Sequence, residues 1–176
     1  MNNPTSLADI DWDNWQPTTH ATLLFVIQDG KILLIRKKRG LGMGKINGPG
    51  GKLDPGETLE QCASRELQEE LLITPGALTY HGDNLFQFVD GLAMHVHIYT
   101  TNEYTGTPTE TDEAEPLWFD LDKIPYEEMW EDDYLWIPMM LEGKDFTGRF
   151  LFDNSKMLDY ALEEKVRKDH MRKENL

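Results

Sequence analysis

The sequence predicts an α/β domain, and three local features carry this prediction. Two apolar runs, residues 22–27 and 31–35, flank Asp29-Gly30, a strong signal for a tight β-hairpin. Residues 39–56 form a glycine-dense loop. An amphipathic helical pattern begins directly after that loop. A chain of 176 residues is long enough for one domain with a sizeable core.

The remaining elements follow from periodicity and from turn signals. The helix is predicted over residues 58–71, and Thr58 and Gln61 at its start have the spacing of a capping box. A second helix is expected from Asp132-Asp133 to about Leu141, whereas residues 157–163 fit either a strand or a short helix. Strands are predicted near residues 85–89, 93–100, 117–121 and 146–152. The domain is assigned to residues 20–163, between an acidic extension (1–19) and a charged tail (164–176).

Composition and charge restrict the class of protein. The net charge of −15 disfavours polynucleotide binding, although six basic residues crowd between Arg36 and Lys52, where a solvated loop is the alternative to an anion site. No apolar run approaches the ~20 residues that span a bilayer, and the N-terminus does not resemble a secretory signal. Cys62 is the only cysteine, which excludes an intramolecular disulfide and a cysteine-based zinc site. A cytoplasmic enzyme without membrane or polynucleotide partners is the expectation.

The predicted helix carries carboxylates where a structural helix would carry apolar side chains. Glu66 and Glu70 fall within the apolar stripe, and Glu69 lies at its margin. Ionised carboxylates that face inward repel each other and lose hydration, so they need a compensating cation. Oxygen ligands favour Mg²⁺ or Mn²⁺. The alternative is that the helix turns these glutamates towards solvent. The apolar stripe itself consists of Leu59, Cys62, Ala63, Leu67 and Leu71.

The loop and helix together resemble a known family. Gly51, Glu57 and the segment that begins with Arg65-Glu66 follow the pattern Gly-x5-Glu-x7-Arg-Glu-U-x-Glu-Glu-x-Gly-U of the Nudix box, where U is aliphatic. Leu72 is the only departure, because it stands in place of glycine. The likeness extends over residues 22–163 and is closest to the branch that hydrolyses oxidised purine nucleoside triphosphates. This resemblance implies an α/β/α sandwich with a mixed central β-sheet.

The resemblance also implies a metal centre and its chemistry. It assigns Glu66, Glu69 and Glu70 as ligands of Mg²⁺, for which Mn²⁺ can substitute, together with the carbonyl of Gly50 and with Glu113, which either binds metal or activates water. Water would attack a phosphorus of the triphosphate while the cation neutralises charge on the leaving group. The resemblance also implies a structural ion pair between Glu57 and Arg65. Lys37, Lys38 or Lys52 can supply additional positive charge, and the resemblance does not fix which; a solvated surface charge is the alternative for each, and Lys37 is the candidate for substrate binding.

A base pocket is the second implication of the resemblance. It assigns Asn47, Asp132 and Asp133 to reading the purine and Trp130 to stacking on it. Two adjacent carboxylates in an apolar pocket share a proton at neutral pH, so together they offer a donor and an acceptor. Oxidation at C8 turns purine N7 into a donor, which an aspartate can sense. The alternatives are that Asp132-Asp133 only caps a helix and that pocket-lining aromatics are plain core. Further positions that match the pocket are Thr22, Phe86 and Met94, whereas Leu41 replaces an aromatic residue.

Two details remain open at this stage. Helices often end in a left-handed residue, where a β-carbon costs ~1–2 kcal/mol, so Leu72 predicts that the helix exits differently or continues to Pro75-Gly76. His95 and His97 share one strand face, which raises the question of zinc. Without a third ligand at a suitable spacing, structural histidines are the expectation.

The predicted function is magnesium-dependent hydrolysis of oxidised purine nucleoside triphosphates (8-oxo-dGTP, and 2-oxo-dATP as a further substrate) to the monophosphate and pyrophosphate. Such an enzyme would cleanse the nucleotide pool of damaged precursors of DNA. Its partner would be a small nucleotide, and a monomer is expected. One alternative is a Nudix pyrophosphohydrolase for unoxidised, methylated or dinucleotide substrates. Another is a non-catalytic nucleotide sensor.

Overall fold

A mixed sheet of nine strands forms the centre of the fold. The structure is a computed structural model and describes residues 2–166. The strand order is β11-β10-β6-β7-β1-β2-β3, with β4 paired to β1 and β9 to β2. The strands of this sheet are β1 (Thr19–Gln28), β2 (Lys31–Lys37), β3 (Ile46–Asn47), β4 (Gly50–Lys52), β6 (Thr79–Phe88), β7 (Ala93–Thr101), β9 (Ala114–Asp120), β10 (Asp145–Asp153) and β11 (Lys156–Lys165); β5 (Thr74–Pro75) and β8 (Tyr104–Thr105) form a separate pair.

The first two long strands form the predicted hairpin. Gln28 pairs with Lys31, so Asp29 and Gly30 alone make the turn. Both turn residues have positive φ, 55° and 74°, as tight hairpin turns require. Two parallel pairings, β1 with β7 and β6 with β10, make the sheet mixed.

Alternation along the strands sorts apolar side chains onto two faces, each covered by a helix. Helix α1 (Leu59–Leu71) packs on the face that carries Leu24 and Val26. Helix α2 (Asp133–Leu141) packs on the opposite face, against Phe25 and its neighbours. The predicted α/β/α sandwich with a mixed central sheet is therefore confirmed.

The start of α1 agrees with the sequence prediction, and its end does not. The Thr58 hydroxyl accepts the N–H of Gln61 at 3.1 Å, and the Gln61 side chain accepts the N–H of Thr58 at 2.9 Å, which is a capping box. The prediction that Leu72 lets the helix continue or exit differently was wrong. Leu72 adopts the left-handed conformation at φ 61°, and its N–H bonds the carbonyl of Gln68. Leu71 and Ile73 on either side are fully buried, so packing fixes the turn at Leu72.

The later boundaries refine the sequence predictions. The ambiguous segment 157–163 is part of strand β11, which pairs along the whole of β10. Because β11 ends at Lys165, regular structure extends two residues past the predicted domain boundary. The rest of the predicted charged tail, from residue 167 onward, lies outside the described residues. No helix formed by residues 2–166 has the length and apolarity needed to cross a membrane.

The N-terminal extension lies against the sheet. The N–H of Leu7, in a short 3₁₀ turn, donates to Asp159 of β11 at 2.8 Å. The indole N–H of Trp15 donates to the side chain of Gln87 on β6, also at 2.8 Å. The guanidinium of Arg149 on β10 stacks over the ring of Trp12. The extension therefore covers the part of the sheet that α1 does not reach.

Candidate active site

Glu70 is the most deeply buried carboxylate of α1. Its side chain accepts the N–H of Gly50 at 2.7 Å, which ties the helix to the glycine loop. Burial raises the pKa of Glu70 to about 8, and the negative charge of Glu66 adds to this effect. A carboxylate in such a place is stable in its ionised form only when positive charge lies nearby.

Three further carboxylates gather beside Glu70. Oxygens of Glu66, Glu69 and Glu113 all lie within 4.8 Å of one another, although Glu113 comes from the loop before β9. Gly51 makes room for this arrangement, because a β-carbon there would stand 2.3 Å from the carboxyl carbon of Glu66. Burial raises the pKa of Glu66 as well. This oxygen-only donor set fits a hard divalent cation such as Mg²⁺.

Arg65 braces the loop against the helix. Its guanidinium donates to both oxygens of Glu57, at 2.7 and 3.0 Å, and to the carbonyl of Lys52 at 2.9 Å. Hydrogen bonds from Arg65, together with the N–H of Asp54, lower the pKa of Glu57 to about 2. This pair holds the two segments of the box together, as the sequence predicted. Arg65 also donates to Glu66 at 2.8 Å and so orients one of the clustered carboxylates.

Lys37 lies close enough to the carboxylate cluster for Glu70, Glu66 and Glu113 to affect its pKa. Burial lowers the pKa of Lys37. The negative charges of nearby carboxylates raise it, and that of Glu70 has the largest such effect. Its ammonium donates to the carbonyl of Leu41 at 2.7 Å. Lys38, in contrast, forms an exposed ion pair with Glu110. Of the three lysines that the sequence left open, Lys37 and Lys52 line the adjoining cavity.

A cavity of about 340 Å³ opens beside this acidic cluster, on the face of the sheet that α2 covers. Its walls are mainly apolar, and Lys37, Gly50 and Gly51 belong both to its lining and to the surroundings of the carboxylates. The lining includes every residue that the sequence assigned to substrate binding: Thr22, Lys37, Asn47, Phe86, Met94, Trp130, Asp132 and Asp133. The structure therefore brings together residues from six separate segments of the chain.

The two aspartates lie at the buried side of this cavity. Asp132 is 2% exposed and Asp133 is 7% exposed. Burial raises the pKa of both, and the charge of Asp132 raises the pKa of Asp133 further. Asp132 accepts the indole N–H of Trp136 at 2.7 Å, which favours its ionised form. Burial and the neighbouring charge therefore favour the protonated form of Asp133, whereas the Trp136 hydrogen bond favours the ionised form of Asp132.

Helix capping does not account for these aspartates. Asp132 occupies the N-cap position of α2, yet its side chain makes no capping hydrogen bond. Its carboxylate is used by Trp136 instead. Two buried acids beside an apolar cavity are characteristic of a ligand-binding role.

The other assigned residues differ in how they face the cavity. Phe86 stacks on Phe150 at 5.2 Å, and Trp130 packs edge-on against Phe152 at 5.6 Å, so both rings are held firmly. Asn47 lies on β3 at the rim. Thr22 behaves differently, because its hydroxyl contacts the thiol of Cys62 on α1 at 3.4 Å. Alternation along β1 turns that side chain towards the α1 face.

Sequence reasoning missed several groups around the site. Trp136 orients Asp132, and Lys45 lies 5.3 Å from the centre of the Trp130 ring. Arg39 forms an ion pair with Glu113. The i, i+4 spacing of Asp132 and Trp136 on a helix was the one usable signal. The contacts of Lys45 with Trp130 and of Arg39 with Glu113 depend on the path of the glycine loop. A loop has no sequence periodicity from which such contacts could be predicted.

Comparison with known proteins identifies the family of the chain. The NUDIX domain profile matches residues 17–140. The chain belongs to the Nudix family. Two curated Nudix relatives are both named oxidized purine nucleoside triphosphate hydrolase. The one from Danio rerio is 48% identical over 81% of this chain and 93% of its own length. The one from Mus musculus is 45% identical over the same shares of the two chains.

Solved structures show the same Nudix fold. The MutT protein from Bacillus halodurans superimposes with a TM-score of 0.73 at 22% identity, over 82% of this chain and 97% of that one. At this identity the likeness concerns the fold alone. Nudix hydrolases generally need a divalent metal, and the carboxylate cluster of α1 is the part of this Nudix domain that fits one.

Proposed function

We propose that this Nudix enzyme hydrolyses oxidised purine nucleoside triphosphates, such as 8-oxo-dGTP, to the monophosphate and pyrophosphate. One observation carries the proposal: a single cavity is lined both by the buried aspartate pair and by Gly50 and Gly51, which contact the Nudix carboxylates Glu70 and Glu66. Lys37 also lines this cavity, and the charges of Glu70, Glu66 and Glu113 act on its ammonium group. The names of the relatives from Danio rerio and Mus musculus support the same substrate class.

The aspartate pair supplies the base recognition. Protonated Asp133 donates a hydrogen bond, while ionised Asp132 accepts one and is held by Trp136. An 8-oxo-purine carries a hydrogen on N7, where the normal purine has only a lone pair. A carboxylate that accepts this N7–H therefore favours the damaged base. If the proton moves within the pair, the donor and acceptor exchange places, which extends the proposal to 2-oxo-dATP.

The carboxylate end supplies the hydrolytic chemistry. A water oxygen forms a new bond to a phosphorus of the triphosphate, and a bridging P–O bond breaks to release pyrophosphate. Glu113 or a carboxylate of α1 holds the proton that the attacking water loses. Lys37 binds and orients the phosphate chain. A bound divalent cation, which we propose to be Mg²⁺ held by Glu66, Glu69, Glu70, Glu113 and the Gly50 carbonyl, would neutralise charge on the phosphates.

The remaining expectations about partners keep the status of proposals. A small nucleotide suits a cavity of this size, and a net charge of −15 works against binding of a polynucleotide. A monomeric state and a cytoplasmic location remain predictions from the sequence.

A substrate panel tests the proposal directly. Purified protein with Mg²⁺ should release pyrophosphate from 8-oxo-dGTP with a kcat/KM at least 100-fold above that for dGTP. Including 2-oxo-dATP and dATP tests the second oxidised base against its own control. Equal efficiency on oxidised and normal nucleotides would remove the substrate assignment.

A second candidate keeps the reaction and changes the substrate to an unoxidised, methylated or dinucleotide compound. The observation in its favour is Leu41, an exposed aliphatic side chain that lines the cavity. It stands where the branch that the sequence resembles has an aromatic residue. An aliphatic side chain stacks less well on a flat base and so relaxes the fit. The same panel, extended to methylated and dinucleotide substrates, decides between the two candidates. Absence of turnover on every substrate would instead favour a nucleotide sensor.

A further inference from the structure

Three histidines converge on the sheet outside the proposed active site. His20 at the start of β1 lies beside His95 on β7 in the parallel register, and His97 is two residues further along β7. One ring nitrogen of each lies within 4.8 Å of the others. The ring centres of His95 and His97 are 4.2 Å apart, and that of His20 is 5.4 Å from His95. His20 was not recognisable from the sequence as a third ligand, because it lies 75 positions before His95 and comes next to it only through strand pairing.

The cluster occupies a gap in the cover of the sheet. It lies on the α1 face, between Tyr99, which packs in the helix-side core, and Gln87, which contacts the N-terminal extension. His20 is exposed, and His95 and His97 are partly exposed. An ion can therefore reach the cluster from solvent without opening the fold.

Two of the rings are oriented by neighbouring side chains. His95 Nε2 is 2.7 Å from the Asp83 carboxylate, whose other oxygen accepts the hydroxyl of Thr147 at 2.7 Å. His97 Nδ1 is 3.4 Å from the hydroxyl of Tyr80. These contacts leave Nδ1 of His95 and Nε2 of His97 available for another partner. A carboxylate that holds the far nitrogen of a histidine is the usual support of a metal-binding imidazole.

We propose that His20, His95 and His97 form a second metal site, distinct from the Nudix carboxylates, for a late first-row divalent ion such as Zn²⁺. Imidazole nitrogen suits Zn²⁺ and its neighbours, whereas Mg²⁺ prefers oxygen. In a tetrahedral zinc site with Zn–N bonds of about 2.0–2.1 Å, the ligand atoms stand about 3.4 Å apart. The three nitrogens lie within 4.8 Å of one another in the structure, so binding of the ion requires the rings to rotate until they reach that spacing. Three histidines leave a fourth position for water.

Zinc binding by protein without a histidine tag tests this proposal. Titration calorimetry with Zn²⁺ is run at saturating Mg²⁺, so that the carboxylate cluster is already filled. We expect one Zn²⁺ per chain, and Co²⁺ in its place should give the intense visible absorption of a four-coordinate ion. The absence of zinc binding under these conditions would overturn the proposal.

Variants locate the ion. His20→Ala removes an exposed ligand and should weaken zinc binding at least tenfold, without a change in the melting temperature of the metal-free protein. Asp83→Asn should weaken zinc binding by about 10- to 100-fold, the range typical for loss of a supporting group. Glu69→Gln, at the carboxylate cluster, is the matched control and should keep wild-type zinc affinity. Unchanged affinity in His20→Ala, or its loss in Glu69→Gln, would assign the zinc to the acidic cluster and refute the histidine site.

Discussion

At the scale of the residue, the active site is built from carboxylic acids that are buried away from water. Glu70 is 3% exposed and bonded to the loop through Gly50, and the aspartate pair is equally buried. The sequence identified these groups because the box spacing and the helical period are local patterns. Arg39 could not be read in the same way, because it meets Glu113 only through the folded path of the chain.

Replacing Glu70 tests the metal assignment. Glu70→Gln keeps an acceptor for the Gly50 N–H but removes the charge, so the fold should be retained while turnover of 8-oxo-dGTP falls at least 100-fold. Steady-state kinetics with Mg²⁺ and a melting curve measure the two effects. Glu60→Gln, an exposed carboxylate on the same helix, is the matched control. Full activity in Glu70→Gln would show that the metal ligands lie elsewhere.

The aspartate pair predicts an unusual dependence of stability on pH. The pKa of Asp133 is raised in the folded state, so the folded protein keeps a proton that the unfolded chain loses above about pH 4. The contribution of Asp133 to stability therefore falls as pH rises from about 4 to its folded pKa. Asp133→Asn cannot ionise and should escape this loss, so its melting temperature should exceed that of wild type by a few degrees at pH 8 and match it near pH 4.

The same variant should lose base recognition. We expect Asp133→Asn to raise KM for 8-oxo-dGTP at least tenfold, because asparagine cannot share a proton with Asp132. Glu131→Gln changes an exposed neighbouring carboxylate and serves as the control for both measurements. A variant that is less stable than wild type at pH 8 and still prefers the oxidised base would contradict both roles.

At the scale of the element, the ends of α1 show what a sequence can and cannot specify. The capping box at Thr58 was predictable, because it depends on residues three apart. The left-handed turn at Leu72 was not, because it follows from the burial of Leu71 and Ile73 in a core formed with distant strands. Leu72 itself is 48% exposed, so its side chain contributes little packing that would offset the strain.

Glycine at this position should relieve that strain. We expect Leu72→Gly to raise the free energy of unfolding by about 0.5–1 kcal/mol, the left-handed penalty less the added entropy of the unfolded chain. Urea denaturation measures the change, and activity should be unaffected. Leu72→Ala is the control, because it shortens the side chain but keeps the β-carbon and should not be stabilising. Equal effects of the two variants would show that the turn is unstrained.

At the scale of the whole molecule, the two faces of the sheet carry different structural features. The α2 face holds the cavity, whereas the other face carries α1, the histidine cluster and the N-terminal extension. The box was predictable from the spacing of its residues, and the family resemblance that the box carries implied the sandwich. It did not predict where the extension binds, because its contacts with Gln87 and Asp159 join segments more than 70 residues apart.

Removing the extension tests this division. Deletion of residues 2–16 should expose the sheet beside β10 and lower the melting temperature by several degrees. The kcat for 8-oxo-dGTP should stay within about threefold of wild type, because the extension contacts β6, β10 and β11, whereas the proposed catalytic carboxylates belong to α1 and to the loop before β9. Deletion of residues 2–4 alone, ahead of the contacts at Leu7 and Trp15, is the matched control. A truncated enzyme with normal melting and no turnover would place the extension in the catalytic machinery.

The parallel pairings of the sheet have a consequence for synthesis of the chain. The pairing of β1 with β7 can form only after β7 has been translated, and the pairing of β6 with β10 only after β10 has been translated. Helix α1, in contrast, is complete in sequence once the first 71 residues have been translated. A nascent chain therefore carries the carboxylates of α1 well before Asp132 and Asp133, which line the cavity, have been made. Non-local pairing of this kind also favours slow folding.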